Sequence, residues 1–210
     1  MQTLGLDDTG LKSLEGIGKA RPLIKLNVGY NNLAGDLLEK LSRLVNLQTL
    51  DISHNKFAGA LPFWLKNFVS MTSFTASHNN LSGPVSDFAT WSELSYLDLS
   101  YNQFGGTLPA TLLAGSPPDD KVVVDLSHNS IEGVLPADNL SRLTRLSIQL
   151  QDNRISGIDP ELCTVHGLND FDAMSFGCNG ILCPVGTWNN LGRQSDEDDP
   201  CEPCKKANVK

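Results

Sequence analysis

The stretch LDLSYNQFGGTLP, Leu97–Pro109, has close copies in LDISHNKFAGALP, Leu50–Pro62, and VDLSHNSIEGVLP, Val124–Pro136. Aligned on its Asn, the phrase recurs at Asn31, Asn55, Asn79, Asn102, Asn129 and Asn153, at spacings of 24, 24, 23, 27 and 24 residues. The six segments begin at Leu23, Leu47, Met71, Leu94, Lys121 and Arg145, and each follows the pattern LxxLxLxxNxLxG or a close variant. MQTLGLDDTGLKS at Met1 fits the same frame with Thr9 in the Asn position, so seven units cover residues 1–162. A fixed period of this length marks an array in which each unit buries its apolar face only against its neighbours.

The pattern has a physical reading. Leu50 and Ile52, like Leu97 and Leu99, alternate with Asp51 and Asp98, which predicts a short strand with its aspartates facing out. One strand per coil stacks parallel to the last, giving a curved sheet. Each Asn ends its strand and turns inward, where its amide can bond backbone groups of adjacent coils. The Gly that follows lets the chain bend. Leu61, Leu65 and Phe68 then form the convex side as short helical or 3₁₀ turns. The unit from Leu94 is longer than its neighbours. Its excess, AGSPPDDK at 114–121, reads as a protruding convex loop.

These repeats resemble the leucine-rich repeat family over about three-quarters of the chain. The continuation G-x-L-P in Gly59–Pro62, Gly106–Pro109 and Gly133–Pro136 is similar to the plant-type variant. The resemblance implies an α/β solenoid, a right-handed superhelix with a concave parallel sheet. It does not by itself imply a function, because the fold is a scaffold. The first unit starts in phase at Met1 with no polar cap before it, so the natural chain is expected to extend further or to be covered there by a partner.

Composition narrows the remaining classes. Formal net charge is −8 and no block of Lys or Arg stands out, so nothing recommends a nucleic-acid partner or an anionic membrane surface. No apolar run approaches the ~20 residues of a membrane span. Cysteines are absent before Cys163; then come Cys163, Cys178, Cys183, Cys201 and Cys204. Residues 163–210 are therefore expected to be a disulfide-stapled C-terminal cap, with one thiol left over; which cysteines pair is not legible. A zinc site on Cys201 and Cys204 lacks a second pair and a placed His. The acidic run at 195–199 reads as a solvated loop. The tail, ILCPVGTWNNLGRQ followed by CEPC, is similar to tails of secreted leucine-rich-repeat proteins of diatoms and related algae. Asn80 and Asn139 each begin a glycan sequon, which with the cysteines favours the secretory route.

Candidate sites follow from the period. The residue before each ladder Asn (or Thr9) forms one exposed column: Asp8, Tyr30, His54, His78, Tyr101, His128 and Asp152. Three residues earlier runs a second: Gly5, Asn27, Asp51, Thr75, Asp98, Asp125 and Gln149. With Lys25 and Tyr96, these columns are the expected partner-binding face, since aromatics and His combine contact area with hydrogen bonds. Two contiguous imidazoles, His54 and His78, are too few for a dedicated metal site, and no cofactor motif occurs. Asp51 and Asp98 are two strands apart, roughly 10 Å, beyond the range of a glycosidase pair. No catalytic residues are expected. On the convex side Phe63 and Trp64, and one coil on Phe88 and Trp91, form a second surface if the indoles face out; inward packing of one residue from each pair is the competing expectation.

The expected function is a noncatalytic extracellular recognition or adhesion module, secreted or on the cell surface, that binds a protein or other macromolecule on its concave face. A fragment of a receptor ectodomain is one form of this. The alternatives are a structural subunit that assembles through its convex aromatics or N-terminal end and, by resemblance alone, an inhibitor of a secreted hydrolase.

Overall fold

The computed structural model describes residues 2–35, 37–165, 167–169, 175–183, 187–188, 193–194, 197–198 and 200–203. Cys204 and three residues of the acidic run, Ser195, Asp196 and Asp199, lie outside the described residues. In chain order the strands are β1 (Thr3–Gly5), β2 (Lys25–Asn27), β3 (Thr49–Asp51), β4 (Ala58–Gly59), β5 (Ser73–Thr75), β6 (Asn80–Gly83), β7 (Tyr96–Asp98), β8 (Gln103–Gly106), β9 (Val122–Asp125), β10 (Ser130–Leu135), β11 (Leu146–Gln149) and β12 (Arg154–Ile158).

One strand from each coil enters a seven-stranded parallel sheet of order β1-β2-β3-β5-β7-β9-β11. Its register follows the repeat: Asn27, Asp51, Thr75, Asp98, Asp125 and Gln149 are successive neighbours. Between the outward positions, Leu26, Leu50, Phe74, Leu97, Val124 and Ile148 point into the core and are buried. The chain is thus a leucine-rich-repeat solenoid with this sheet as its concave face.

A second parallel sheet, β12-β10-β8-β6-β4, was not expected. The residues after each ladder Asn alternate a second time, turning Phe57, Leu81, Phe104, Ile131 and Ile155 inward. A two-residue alternation is a strand signal wherever it falls, and here it is only a few residues long. The repeated glycine then turns the chain towards the convex side. Gly133 has φ +82°, and a Cβ there would lie 2.8 Å from Thr107 Cγ2.

The convex side is built of short turns, among them 3₁₀ segments at Ile17–Lys19, Phe63–Asn67 and Pro160–Thr164, and a helix, α1, at Leu37–Leu41. The aromatic patch considered for this side does not form. Trp64, Phe88 and Trp91 are 6%, 5% and 1% exposed, leaving Phe63 alone at 81%. A coil this wide needs large side chains reaching its middle from the convex wall. Trp91 packs edge-on against Phe74 of β5 at 5.6 Å and donates its indole N–H to the Leu65 carbonyl. The long coil is also only partly as expected. Leu113 and Ser116 are buried, and the Arg142 guanidinium donates to the carbonyls of Leu113, Ala114 and Ser116 at 3.0, 2.7 and 2.6 Å. Only Pro117–Lys121 stands out in solvent.

The tail closes the C-terminal end. Disulfides join Cys163 to Cys178 and Cys183 to Cys201. Leu162, Leu168 and Ile181 join the hydrophobic core of the coils. Asn169, fully buried, accepts from the Ile148 N–H of β11 at 2.6 Å and donates to the Gly180 carbonyl at 3.0 Å. It thereby satisfies a backbone donor at the exposed edge of the sheet. Asn169 is out of phase with the repeat, so nothing in the periodicity marks it.

Candidate recognition face

Two side-chain systems hold each coil to the next. The first is the asparagine ladder. Asn55 donates to the carbonyls of Val28, Ile52 and Ser53 and accepts from the Leu33 N–H. Asn79, Asn102, Asn129 and Asn153 make the corresponding bonds one coil on each time. Asn31 does so towards the first coil, where Thr9 stands in for the amide and donates its hydroxyl to the Leu6 carbonyl. The ladder side chains turn inward as expected but are only half-buried, because the turn that carries them is at the rim of the sheet.

The second system starts from the outward aspartates. Asp51 Oδ1 accepts from the Ser53 N–H at 2.8 Å and the Ser53 hydroxyl at 2.7 Å; Asp98 does the same with Ser100 at 3.0 and 2.7 Å. Asp125 accepts from the Ser127 N–H, and Asn27 from the Gly29 N–H. This local bonding is what Asp and Asn do at turns. The residue three positions on lies in the left-handed region in every coil, including those with Gly5, Thr75 or Gln149 in place of Asp or Asn. Asp8, Tyr30, His54, His78, Tyr101, His128 and Asp152 all have φ between 49° and 55°.

That repeated conformation has a consequence for the column. Instead of standing separately in solvent, its rings lie flat on one another. Tyr30–His54, His54–His78, His78–Tyr101 and Tyr101–His128 stack with centroids 4.0, 4.1, 4.2 and 3.9 Å apart and planes within 18°. At the far end, His128 Nδ1 is 2.9 Å from Asp152 Oδ2. The column is therefore a continuous five-ring stack just beyond the C-terminal ends of the concave strands, not part of the strands themselves. Stacking offsets the cost of left-handed geometry at each ring. The ring faces are spent on each other, so edges, hydroxyls and ring nitrogens are what a partner meets. Stacked imidazoles also direct their in-plane nitrogens side by side rather than at one point. Among the described residues no group of three or more His, Cys, Asp or Glu is placed to hold a metal ion.

The other proposed contact residues lie on the sheet. Lys25 and Tyr96 are exposed, while Asn27, Asp51, Thr75, Asp98 and Asp125 are half-exposed in their column. Partial burial and then the carboxylates of Asp98, Asp125 and Asp51 raise the Tyr96 pKa. Of the two sequons, Asn80 is exposed on β6 and accepts from Gln103 Nε2. Asn139 is half-buried and donates Nδ2, the atom a glycan would modify, to the Ala110 carbonyl at 2.6 Å.

Burial in the stack and, secondarily, the neighbouring His54 lower the His78 pKa from its ordinary 6.5; Asp98 opposes this and His128 adds to it. A lowered folded-state value means the unfolded chain binds more protons once the pH drops below about 6.5, so the contribution is present above that pH and lost below it. Thermal unfolding from pH 7.5 to 5 should therefore show a falling Tm. The fall should be shallower in His78→Tyr, a ring the column already accommodates at Tyr30 and Tyr101. An identical pH profile in the variant would show that His78 does not carry the dependence.

Comparison with known proteins agrees with this architecture. The Leucine Rich Repeat family profile matches residues 46–68 and 93–114. No curated protein matches the chain in sequence. Among solved structures, pollen receptor kinase 3 superposes with a TM-score of 0.65 at 26% identity, covering 75% of this chain and 76% of that one. The TDR receptor gives 0.71 at 27% identity, covering 81% of this chain and 30% of that one. The Arabidopsis receptor kinase HAESA, solved with the peptide hormone IDA and the co-receptor SERK1, gives 0.63 at 26% identity over 80% of this chain and 32% of that one. The chain thus spans less than a third of the two longer receptors. The repeat, the two sheets and these likenesses define a plant-type leucine-rich repeat protein. Its C-terminal end is closed by a cysteine-bearing cap.

Proposed function

We propose that the chain is a noncatalytic extracellular recognition module that binds a peptide or protein segment along the concave face, against the five-ring stack. The stack is the observation that carries the reading. The repeat specifies an Asn at each rung, but it does not require a ring beside it; Asp8 and Asp152 occupy the same position with the same backbone. Five consecutive rings spend left-handed strain on a rim that faces solvent. They form a rigid edge of hydroxyls and imidazole nitrogens about 20 Å long at the strand spacing, the length of an extended segment of about six residues.

Two further observations support it. The HAESA likeness is to a receptor captured with a peptide hormone, and the two disulfides fit an oxidising compartment. The outward aspartates, the carboxylates available for chemistry on this face, are each tied to a turn through one oxygen, as scaffold residues are. An assembly role resting on convex aromatics loses its basis with Trp64, Phe88 and Trp91 buried. The test uses peptides selected for binding from a random display library. Their addition should move the NMR signals of the stack histidines; a bound peptide that leaves these signals in place would put the site elsewhere.

A further inference from the structure

Across β3, β5, β7 and β9 the outward positions carry three carboxylates, Asp51, Asp98 and Asp125, and no Lys or Arg. Lys25, on β2, is three strands from Tyr96 in the neighbouring column. Among the described residues none of the three carboxylates is in an ion pair. Asp98 and Asp125 are direct register partners on β7 and β9, so their side chains leave one face about 4.8 Å apart. Like charges placed opposite one another on a sheet destabilise it, and Lys25, the basic residue among the outward strand positions, is three strands away from Asp98. Each has one oxygen held in its turn, which fixes the direction of the carboxylate before any ligand arrives.

Tyr96 stands beside this pair, two residues before Asp98 on the same face of β7, with its side chain 39% exposed. Its raised pKa keeps the phenol protonated. It therefore presents a hydroxyl and a ring face next to two fixed anions. A phenol ring flanked by carboxylates attracts a cation by charge and by its quadrupole together.

We infer that the concave sheet receives a basic, extended segment of a partner protein, one Lys or Arg of which sits between Asp98 and Asp125 against Tyr96. The inference rests on the concave-face reading above and adds the chemistry of the partner. The wider field has the same sign: net charge is −8, which steers a cationic segment towards the protein and makes its capture salt-dependent. The ring stack then bounds the segment on one side. An acidic or neutral segment would leave the paired carboxylates unrelieved.

The experiment uses the full, disulfide-bonded chain and a displayed library of random dodecapeptides. The substitutions are Asp98→Asn with Asp125→Asn, and, as a control of equal charge, Asp119→Asn with Asp120→Asn on the exposed loop. Asn is tolerated in the column, since Asn27 makes the same turn with its amide oxygen. The selected peptides should be enriched in Lys and Arg. Their affinity should fall about tenfold or more in the Asp98/Asp125 variant, stay within about twofold of wild type in the control, and weaken with added salt. Equal losses in both variants would mean diffuse attraction by net charge and would overturn the inference. Peptides without Lys or Arg enrichment that still shift the stack histidines would overturn it while leaving the concave site standing. Peptides that leave those histidines unmoved would overturn both.

Discussion

Asn102→Ala should lower the unfolding free energy by about 3 kcal/mol, and more than Tyr101→Ala does, although the two residues are adjacent on the same rim. The reason lies in which partners are left alone. Asn102 donates to the carbonyls of Ala76, Leu99 and Ser100 and accepts from the Leu81 N–H. The three carbonyls keep other donors: Asn79 for Ala76, Asn129 for Leu99 and the His78 N–H for Ser100. The Leu81 N–H, on a fully buried residue, has no replacement and bears the full cost of an unpaired buried donor, about 1–3 kcal/mol, with the weakened bonds added to it. From sequence, Tyr101 is an ordinary surface residue whose removal costs within about 0.5 kcal/mol. The stack revises this upwards: Tyr101→Ala removes ring contacts to His78 and His128, about 1–2 kcal/mol. Denaturant unfolding of the two variants ranks them. A larger loss in Tyr101→Ala would mean that ring stacking, not the amide ladder, is the main tie between coils.

Trp91→Ala is expected to cost about 4 kcal/mol, within the ~3–5 kcal/mol usual for deleting a buried aromatic. Trp91 is 1% exposed and spans the inside of its coil from the convex wall to Phe74 on β5, with Phe88 tilted against it at 4.8 Å. Its N–H partner is not orphaned by the change, because the Leu65 carbonyl also accepts from the Phe68 N–H. The loss is therefore one of packing, and Trp91→Phe should recover much of it. Each coil touches only its neighbours, so hydrogen exchange should quicken first around residues 65–91 and last at Leu146–Gln149. Uniform quickening along the whole chain would show a more cooperative solenoid than its architecture implies. A loss under about 1 kcal/mol would contradict the placement of Trp91 inside the coil.

Much of this was legible from the period alone. Leu50, Ile52 and Asn55 announce a strand, its inward face and its terminal turn, and the same triplet recurs often enough to fix the solenoid. What the period could not show was the behaviour of residues that depend on a neighbouring coil. His54 reads as an exposed polar residue, yet its environment is set by Tyr30 and His78, 24 residues away on either side. Asp51 reads as an outward contact; its hydrogen bonds to Ser53, visible only with the backbone in place, show that it also builds the turn. The period does not decide which convex aromatics face inward, because Trp64 and Trp91 carry no periodic mark that separates the inward side from the outward one. The second sheet was hidden inside segments too short to stand as strands alone, such as β4 at Ala58–Gly59. Asn169 could not be found by repeat logic, since it works where the repeat stops.

Whether a partner sits on the ring-lined concave face can be read from the histidines. The chain has four: His54, His78, His128 and His166. Three are rungs of the stack, and the fourth belongs to the C-terminal tail. Imidazole Cε1–H signals are recorded by NMR at fixed pH while a selected binding peptide is titrated in. The signals of His54, His78 and His128 should move together, with a common affinity. Saturable binding that leaves the three stack histidines unmoved would contradict the concave-face reading.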